Sequence, residues 1–265
     1  MRLLLALIFA LLLGNALAAD SSAVQKLQVK MPEPSSTKYP WQKGERLEYE
    51  ISWGFITAGN AIMEVRPKGD KTEFYTLAHN NGAFKAIYPV ADTIYSRIRN
   101  NTFLPEVFKK INHEGSFHSS SIIRFDRAGH KGWLSDTVFT DLERTKRKRS
   151  ADTVVTLEGN EFGILSAFYF VRQMELKEGK TETFSAVSGK KRYDLKVIVY
   201  GKESIETDAG KFDCIKVEPV LDGDGIFKAS GRIFIWLSND SLRLPVLMKS
   251  EIKLGSIKAE LVKFR

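Results

Sequence analysis

Apolar side chains occupy every second position along much of the chain after residue 44, which is the pattern of half-buried β-strands. The first such run covers residues 45–53, the second is centred on 61–65, and the third starts at residue 73. A Pro-Lys-Gly-Asp sequence at 67–70 is typical of a tight turn between the second and third runs. These three strands therefore predict an antiparallel meander.

The alternation continues to the end of the chain and is interrupted by one segment of helical periodicity. Further strands are predicted at 93–99, 106–112, 116–126, 131–134, 180–188, 192–200, 211–219, 227–237, 246–254 and 256–264. Residues 160–174 instead repeat apolar side chains at intervals of three and four, with Asn160 placed to cap a helix and Met174 near its end. A shorter helix or turn is predicted at 82–88.

This order of elements predicts a mostly β fold. The strands form an antiparallel meander that builds a barrel or a strongly curved sheet, with the one main helix packed against it. Closure or strong curvature would protect the strand edges from pairing with other chains. Pro105 and Pro245 should each begin a strand or lie on an edge, because proline cannot donate a hydrogen bond within a sheet.

The start of the chain predicts export. A short basic start is followed by an uncharged apolar run over residues 3–13 and by Ala-Leu-Ala at 16–18. This is the pattern of a secretory signal peptide over residues 1–18, with Ala19 as the mature N-terminus and the periplasm as the destination. The apolar run is too short to span a bilayer, and we expect no transmembrane segment in the mature chain.

The composition suits one folded domain. Of the 265 residues 43% are hydrophobic and 27% are charged, and the formal net charge is +8. Residues 19–43 are polar and contain three prolines, which predicts an extended arm, and residues 44–265 predict a single β-rich domain. The one cysteine, Cys214, excludes an internal disulfide, and its position in an alternating run predicts a buried, unreactive thiol.

We find no constellation of residues that predicts catalysis. His113 and His118 flank a predicted hairpin turn, but the pattern supplies neither a third nor a fourth metal ligand. The sequence contains no nucleophile motif and no glycine-rich phosphate loop. We therefore expect no catalytic residues, no metal and no cofactor, and export argues against nucleic acid as a partner.

Two groups of residues are candidate binding sites. Aromatic side chains in and around the helix predict an apolar cavity between helix and sheet, lined by Trp53, Phe168, Tyr169 and Trp236. Five of the six residues from 144 to 149 are basic, which predicts either a solvated loop or a contact with an anionic envelope surface. This basic run consists of Arg144, Lys146, Arg147, Lys148 and Arg149.

Several segments, in a fixed order, resemble a known family. They include GERLEY at 44–49, WGFITAG at 53–59, YPVAD at 88–92, LSAFYFVR at 165–172, TDAGKF at 207–212, IWLSND at 235–240 and RLPV at 243–246. Their order resembles the bacterial exported family called domain of unknown function 3108, from about residue 44 to the end. The resemblance implies an exported, mostly β protein without an established catalytic site.

These observations favour a non-enzymatic periplasmic β-protein that binds an apolar or amphiphilic ligand, such as a lipid, or a partner in the cell envelope. Two alternatives remain open, an envelope hydrolase whose site is assembled from scattered residues and a structural envelope-assembly factor. An enclosed apolar cavity would favour the binding protein. A cleft with converging His, Asp and Ser would favour the hydrolase, and a closed core with an exposed apolar patch the assembly factor.

Overall fold

The computed structural model describes residues 39–41, 43–222, 231–252 and 255–265. The predicted signal peptide, most of the predicted arm and residues 227–230 and 253–254 of two predicted strands lie outside the described residues.

The mostly β fold is confirmed. The described strands are β1 Glu45–Trp53, β2 Ile56–Lys68, β3 Lys71–Asn80, β4 Ala91–Arg99, β5 Pro105–Glu114, β6 Phe117–Asp126, β7 Lys131–Phe139, β8 Arg147–Thr156, β9 Phe162–Gly163, β10 Thr181–Ser188, β11 Lys191–Thr207, β12 Gly210–Asp222, β13 Ile233–Ser238, β14 Pro245–Ile252 and β15 Gly255–Phe264. The described helices are α1 Gly82–Ile87 and α2 Ile164–Val171.

All of these strands belong to one sheet. Its order is β8-β7-β6-β5-β4-β3-β2-β1-β15-β14-β13-β12-β11-β10-β9, and neighbours are antiparallel except for the parallel pair β9 and β10. The first and last strands, β1 and β15, are paired, so the two halves of the meander join into a continuous sheet. The sheet is not closed into a complete barrel, because β8 and the two-residue β9 remain as its edges.

Helix α2 lies inside the curve of the sheet. All eight of its residues are buried. It contacts β4 from one half of the sheet and β9 and β10 from the other. A helix that is apolar all round must be covered on every side. The sheet provides this cover by curling around α2, which explains why the fold resembles a barrel although its edges do not meet.

The main helix is where the sequence predicts it, but it is shorter. It begins at Ile164 rather than near Asn160, and it ends at Val171 rather than near Met174. The carboxylate of Glu161, three residues before the helix, accepts hydrogen bonds from two preceding backbone N–H groups and from Arg127. The flanking residues are buried as well, so the apolar spacing continues beyond both ends of the helix.

The last residues of the predicted arm pack into the core. Trp41 is 1% exposed, and its ring lies edge-to-face with Tyr169 of α2 at 5.3 Å. The hydroxyl of Tyr39 donates a hydrogen bond of 2.6 Å to the carbonyl of Asn100. The folded region therefore begins at least as early as residue 39.

Two smaller predictions are also confirmed. Cys214 is buried on β12, and burial raises the pKa of its thiol to about 12, so it stays protonated at neutral pH. Pro105 and Pro245 are the first residues of β5 and β14, where a missing N–H is tolerated.

Candidate functional site

Two of the predicted cavity residues, Phe168 and Tyr169, belong to a packed aromatic cluster. The Tyr169 ring stacks on Phe74 of β3 with centroids 4.0 Å apart, and Phe168 meets the Tyr169 ring edge-to-face at 5.4 Å. Both side chains are buried. These contacts are those of the core between helix and sheet.

The other two predicted cavity residues lie on strands β1 and β13. Trp236 of β13 donates a hydrogen bond of 2.7 Å from its indole N–H to Glu203. The ammonium of its register partner Lys216 lies 5.0 Å from the Trp236 ring centre. Trp53 is the half-buried last residue of β1. Phe168, Tyr169 and Trp236 are therefore members of one buried apolar core, and Trp53 packs against that core.

A different set of side chains comes together at one end of the sheet. In an antiparallel meander, successive connections fall at alternate ends, so β1–β2, β3–β4, β5–β6 and β7–β8 are connected at the same end. Strands lie about 4.8 Å apart, which spaces these four connections along a row of about 30 Å. Each carries an exposed apolar side chain. We call this row the apolar–basic rim, and it consists of Phe55, Ile56, Ile87, Phe117 and Leu142 together with the basic run at 144–149.

The tip of the rim at β1–β2 depends on a glycine. Gly54 adopts a φ of +60°, in the left-handed region that other residues rarely occupy. The tight turn that it permits leaves Phe55 fully exposed and the adjacent Ile56 largely exposed. Within the part of the chain that the structure describes, nothing covers the Phe55 ring, which makes it a candidate for an external contact.

The basic run contributes the charge of the rim. Asp141 shapes the β7–β8 connection by accepting hydrogen bonds from the backbone N–H groups of Thr145 and Lys146 at 2.9 and 2.7 Å. Contrary to the expected loop, Arg147 already begins strand β8, together with the next two basic residues. Lys146 and the three basic residues after it are exposed, whereas Arg144 is half-buried. The strand therefore holds part of the basic run in an ordered arrangement.

A buried polar cluster lies behind the rim, on β4 and β5. Asp92 is 1% exposed and Lys110 is 9% exposed, on the face that also carries the core residue Ile94. Burial raises the pKa of Asp92 to about 7. The backbone N–H of His113 donates a hydrogen bond to Asp92 that lowers this pKa, and the negative charge of Glu114 raises it. Burial also lowers the pKa of Lys110.

The predicted hairpin brings His113 and His118 into contact. Their Nδ1 atoms are 2.7 Å apart and their rings stack at 4.6 Å. Burial lowers the pKa of His113, and the charges of His118 and Arg144 lower it further. Within the described part of the chain, no group of three His, Cys, Asp or Glu side chains could hold a metal ion. Neither described helix combines the length and the apolar character needed to cross a membrane.

The sequence analysis did not identify the apolar members of the rim. They come from four separate connections, each with one or two apolar residues, so no local pattern reports their proximity. The available signal was Phe55 directly after Gly54, an aromatic residue at a turn position.

The single curved sheet and its enclosed helix define a β-barrel-like protein. The chain belongs to the family described as protein of unknown function DUF3108, which matches residues 48–262. This match confirms the resemblance seen in the sequence. None of the curated proteins matches the chain.

Solved structures share this architecture at low sequence identity. A β-barrel-like protein of domain of unknown function DUF1849 from Brucella abortus is 13% identical, with a TM-score of 0.53, and the match covers 84% of this chain and 97% of that one. A protein from Bacteroides fragilis described as exported, with a YmcC-like fold, is 10% identical, with a TM-score of 0.35 and coverage of 86% and 98%. A protein from Parabacteroides distasonis described as a lipoprotein is 11% identical, with a TM-score of 0.35 and coverage of 86% and 97%. At these identities, the likeness to the Brucella protein concerns the fold alone.

Proposed function

We propose that this protein is an exported, non-enzymatic envelope protein that docks on an anionic lipid surface through the apolar–basic rim. The observation that carries the proposal is the presence of exposed apolar tips and the basic run at the same end of the sheet. Export itself rests on the predicted signal peptide. The partner of the rim is then the membrane surface that the mature protein meets.

The two kinds of side chain make additive contributions to such docking. Burying a large apolar side chain contributes about 1.5–3 kcal/mol, and a basic residue near an anionic bilayer contributes about 1 kcal/mol. Reversible membrane binding is stable when two such signals act together. Phe55 and Ile56 provide the apolar signal, and the exposed residues Arg147, Lys148 and Arg149 are among those that provide the electrostatic one.

The predicted apolar-ligand cavity has less support than the rim. Three of its four proposed lining residues are buried in the packed core, where Tyr169 is stacked on Phe74. A closed core beside an exposed apolar patch was the arrangement expected for an envelope-assembly factor. Docking on a lipid surface is compatible with that role.

Sedimentation with lipid vesicles tests the proposal. The mature protein should bind vesicles of phosphatidylethanolamine and phosphatidylglycerol and should bind neutral phosphatidylcholine vesicles far more weakly. Replacing Phe55 and Ile56 by serine should lower the partition coefficient by at least about a hundredfold, because two apolar contacts of about 1.5–3 kcal/mol each are lost. The double variant Arg147→Gln/Arg149→Gln should lower it about thirtyfold at low salt, at about 1 kcal/mol for each charge, and should have little effect at high salt.

The matched control removes two exposed charges at the other end of the sheet. Lys211 is the second residue of β12 and Lys263 lies near the end of β15, and both are exposed. The variant Lys211→Gln/Lys263→Gln should bind like the wild type. Equal losses of vesicle binding in Arg147→Gln/Arg149→Gln and in Lys211→Gln/Lys263→Gln would mean that net charge alone drives binding. The rim would then have no special role.

A further inference from the structure

A pocket of about 680 Å³ opens at the end of β4 and β5 opposite the rim. Four of its lining residues are basic, and two are acidic. The basic ones are Lys71, Arg97, Arg99 and Arg127, the acidic ones are Glu106 and Asp126, and the remainder are Thr102, Leu104, Pro105, Phe125 and Ala128. Charge and apolar surface therefore meet in one concave site.

The charges in this pocket are unbalanced around one carboxylate. Glu106 accepts from Lys71 and Arg97 at 3.0 Å each and from Arg99 at 2.9 Å. Burial raises the pKa of Glu106, but the hydrogen bond from Lys71 and the surrounding positive charges outweigh this and hold it below its usual value. Glu106 is thus ionised at neutral pH and neutralises only one of the three positive charges that converge on it.

Most of the donors of these cations remain free for another partner. An arginine has five N–H donors and a lysine has three. Among the described residues, Arg97 uses its Nε and Arg99 one terminal nitrogen, both on Glu106. The Lys71 ammonium likewise forms its one ion pair within this part of the chain with Glu106. All three cations line the pocket, where an additional anion would offset the excess positive charge.

The wall of the pocket is held rigidly. Phe103 precedes the lining residue Leu104, adopts a φ of 58° and is buried against Tyr39 and Phe74. A non-glycine residue persists in this conformation only where its surroundings impose it. Arg127 is fixed from behind, because it donates to the carboxylate of Glu161 and to backbone carbonyls. These contacts fix the wall of the pocket before any ligand arrives, which lowers the ordering cost of binding.

We infer that this pocket binds an anionic group, a phosphate or a carboxylate, carried by a partly apolar molecule. Arg97, Arg99 and Lys71 would bind the anion, and Leu104 and Phe125 would contact the apolar part. The site lies at the opposite end of the strands from the rim, so the inference does not depend on membrane docking. It adds a specific ligand site to a protein for which the rim supplies only a surface contact.

Isothermal titration of the mature protein with inorganic phosphate and with dodecyl phosphate below its micellar concentration tests the inference. Arg99→Gln and Lys71→Gln should each weaken binding about threefold to tenfold, because each removes one partly exposed charge. Glu106→Gln should tighten binding about threefold or more, because it removes the competing carboxylate. Tighter binding of dodecyl phosphate than of inorganic phosphate is the expected result, and equal binding of the two would overturn the inferred contact with an apolar part.

Lys211→Gln is the matched control for Lys71→Gln, since it removes an exposed lysine outside the pocket. Its affinity should stay within about twofold of the wild type. Thermal melting of each variant checks that it is folded. If Glu106→Gln does not fold, the affinities of Arg99→Gln and Lys71→Gln test the inference. The inference fails if neither probe binds the wild type at about 10 mM. It also fails if Lys211→Gln weakens binding as much as Lys71→Gln.

Discussion

Glu45→Gln should destabilise the fold strongly, because it unpairs a buried guanidinium. Arg172 directly follows α2, is 0% exposed in its side chain, and donates to both carboxylate oxygens of Glu45 at 2.7 and 2.6 Å. It also donates to the carbonyl of Arg243 at 2.9 Å and lies 4.6 Å from the ring centre of Trp41. The pair therefore ties together β1, the helix and the start of the folded chain.

The magnitude follows from the loss of the counter-charge. Breaking a buried ion pair by removing one partner costs about 3–5 kcal/mol, because the remaining charge stays desolvated. Glutamine retains one acceptor for Arg172, so we expect the lower part of that range for Glu45→Gln, about 3 kcal/mol. Arg172→Met leaves Glu45 and two backbone carbonyls unpaired and should cost a similar amount. The double variant should cost about 1.5–3 kcal/mol less than the sum of the two single changes, because both act on one interaction.

Urea denaturation followed by tryptophan fluorescence measures these free energies of unfolding. The control is Glu175→Gln, which breaks the pair between Glu175 and Lys177, whose side chains are 71% and 61% exposed. That change should cost less than about 0.5 kcal/mol. A loss below about 1 kcal/mol for Glu45→Gln would refute the reasoning, since it would mean that the guanidinium is compensated without its carboxylate partner.

Two further predictions concern pH and processing. The pKa of Asp92 is raised from 3.8 to about 7 in the folded state, so its stabilising contribution is complete below pH 3.8 and is lost as the pH rises through about 7. Asp92→Asn should remove this loss, which is on the order of 4 kcal/mol at most, because an amide side chain does not titrate. Urea denaturation at about pH 4.5 and about pH 8 measures the loss, and the prediction is wrong if the free energy of unfolding changes equally between the two pH values in the wild type and in Asp92→Asn. N-terminal sequencing of the exported protein should give Ala19 as the first residue, and recovery of Met1 would contradict the predicted cleavage.

The central strands could be predicted from the sequence because one of their faces is buried. Strand β1 was predicted with the bounds that the structure gives, since its apolar residues alternate over its whole length. Strand β8 was missed for the opposite reason. It is an edge strand whose first residues are exposed on both faces, so burial imposes no alternation on Arg147 and its neighbours.

The candidate sites were harder to predict because the pocket depends on strand register and the rim depends on which connections lie at the same end of the sheet. The basic run is continuous in sequence and was identified, whereas its apolar companions are spread from Phe55 to Leu142. In the pocket, Arg99 and Lys71 are register partners on neighbouring strands, 28 residues apart in sequence by their numbering. No local motif links such residues, and only the pairing of β4 with both β3 and β5 brings their charges to Glu106.

The meander also separates binding from stability. The core residues of the sheet pack around α2, whereas the rim lies on the connections between strands. In the pocket, the side chain of Arg99 is 57% exposed. Substitutions at Phe55 or Arg99 should therefore alter binding with little change in the free energy of unfolding, because exposed side chains contribute little to folding. Changes at Arg172 should do the reverse. Because β4 and β5 extend from the rim to the pocket, one rigid pair of strands can hold a membrane contact at one end and an anionic ligand at the other.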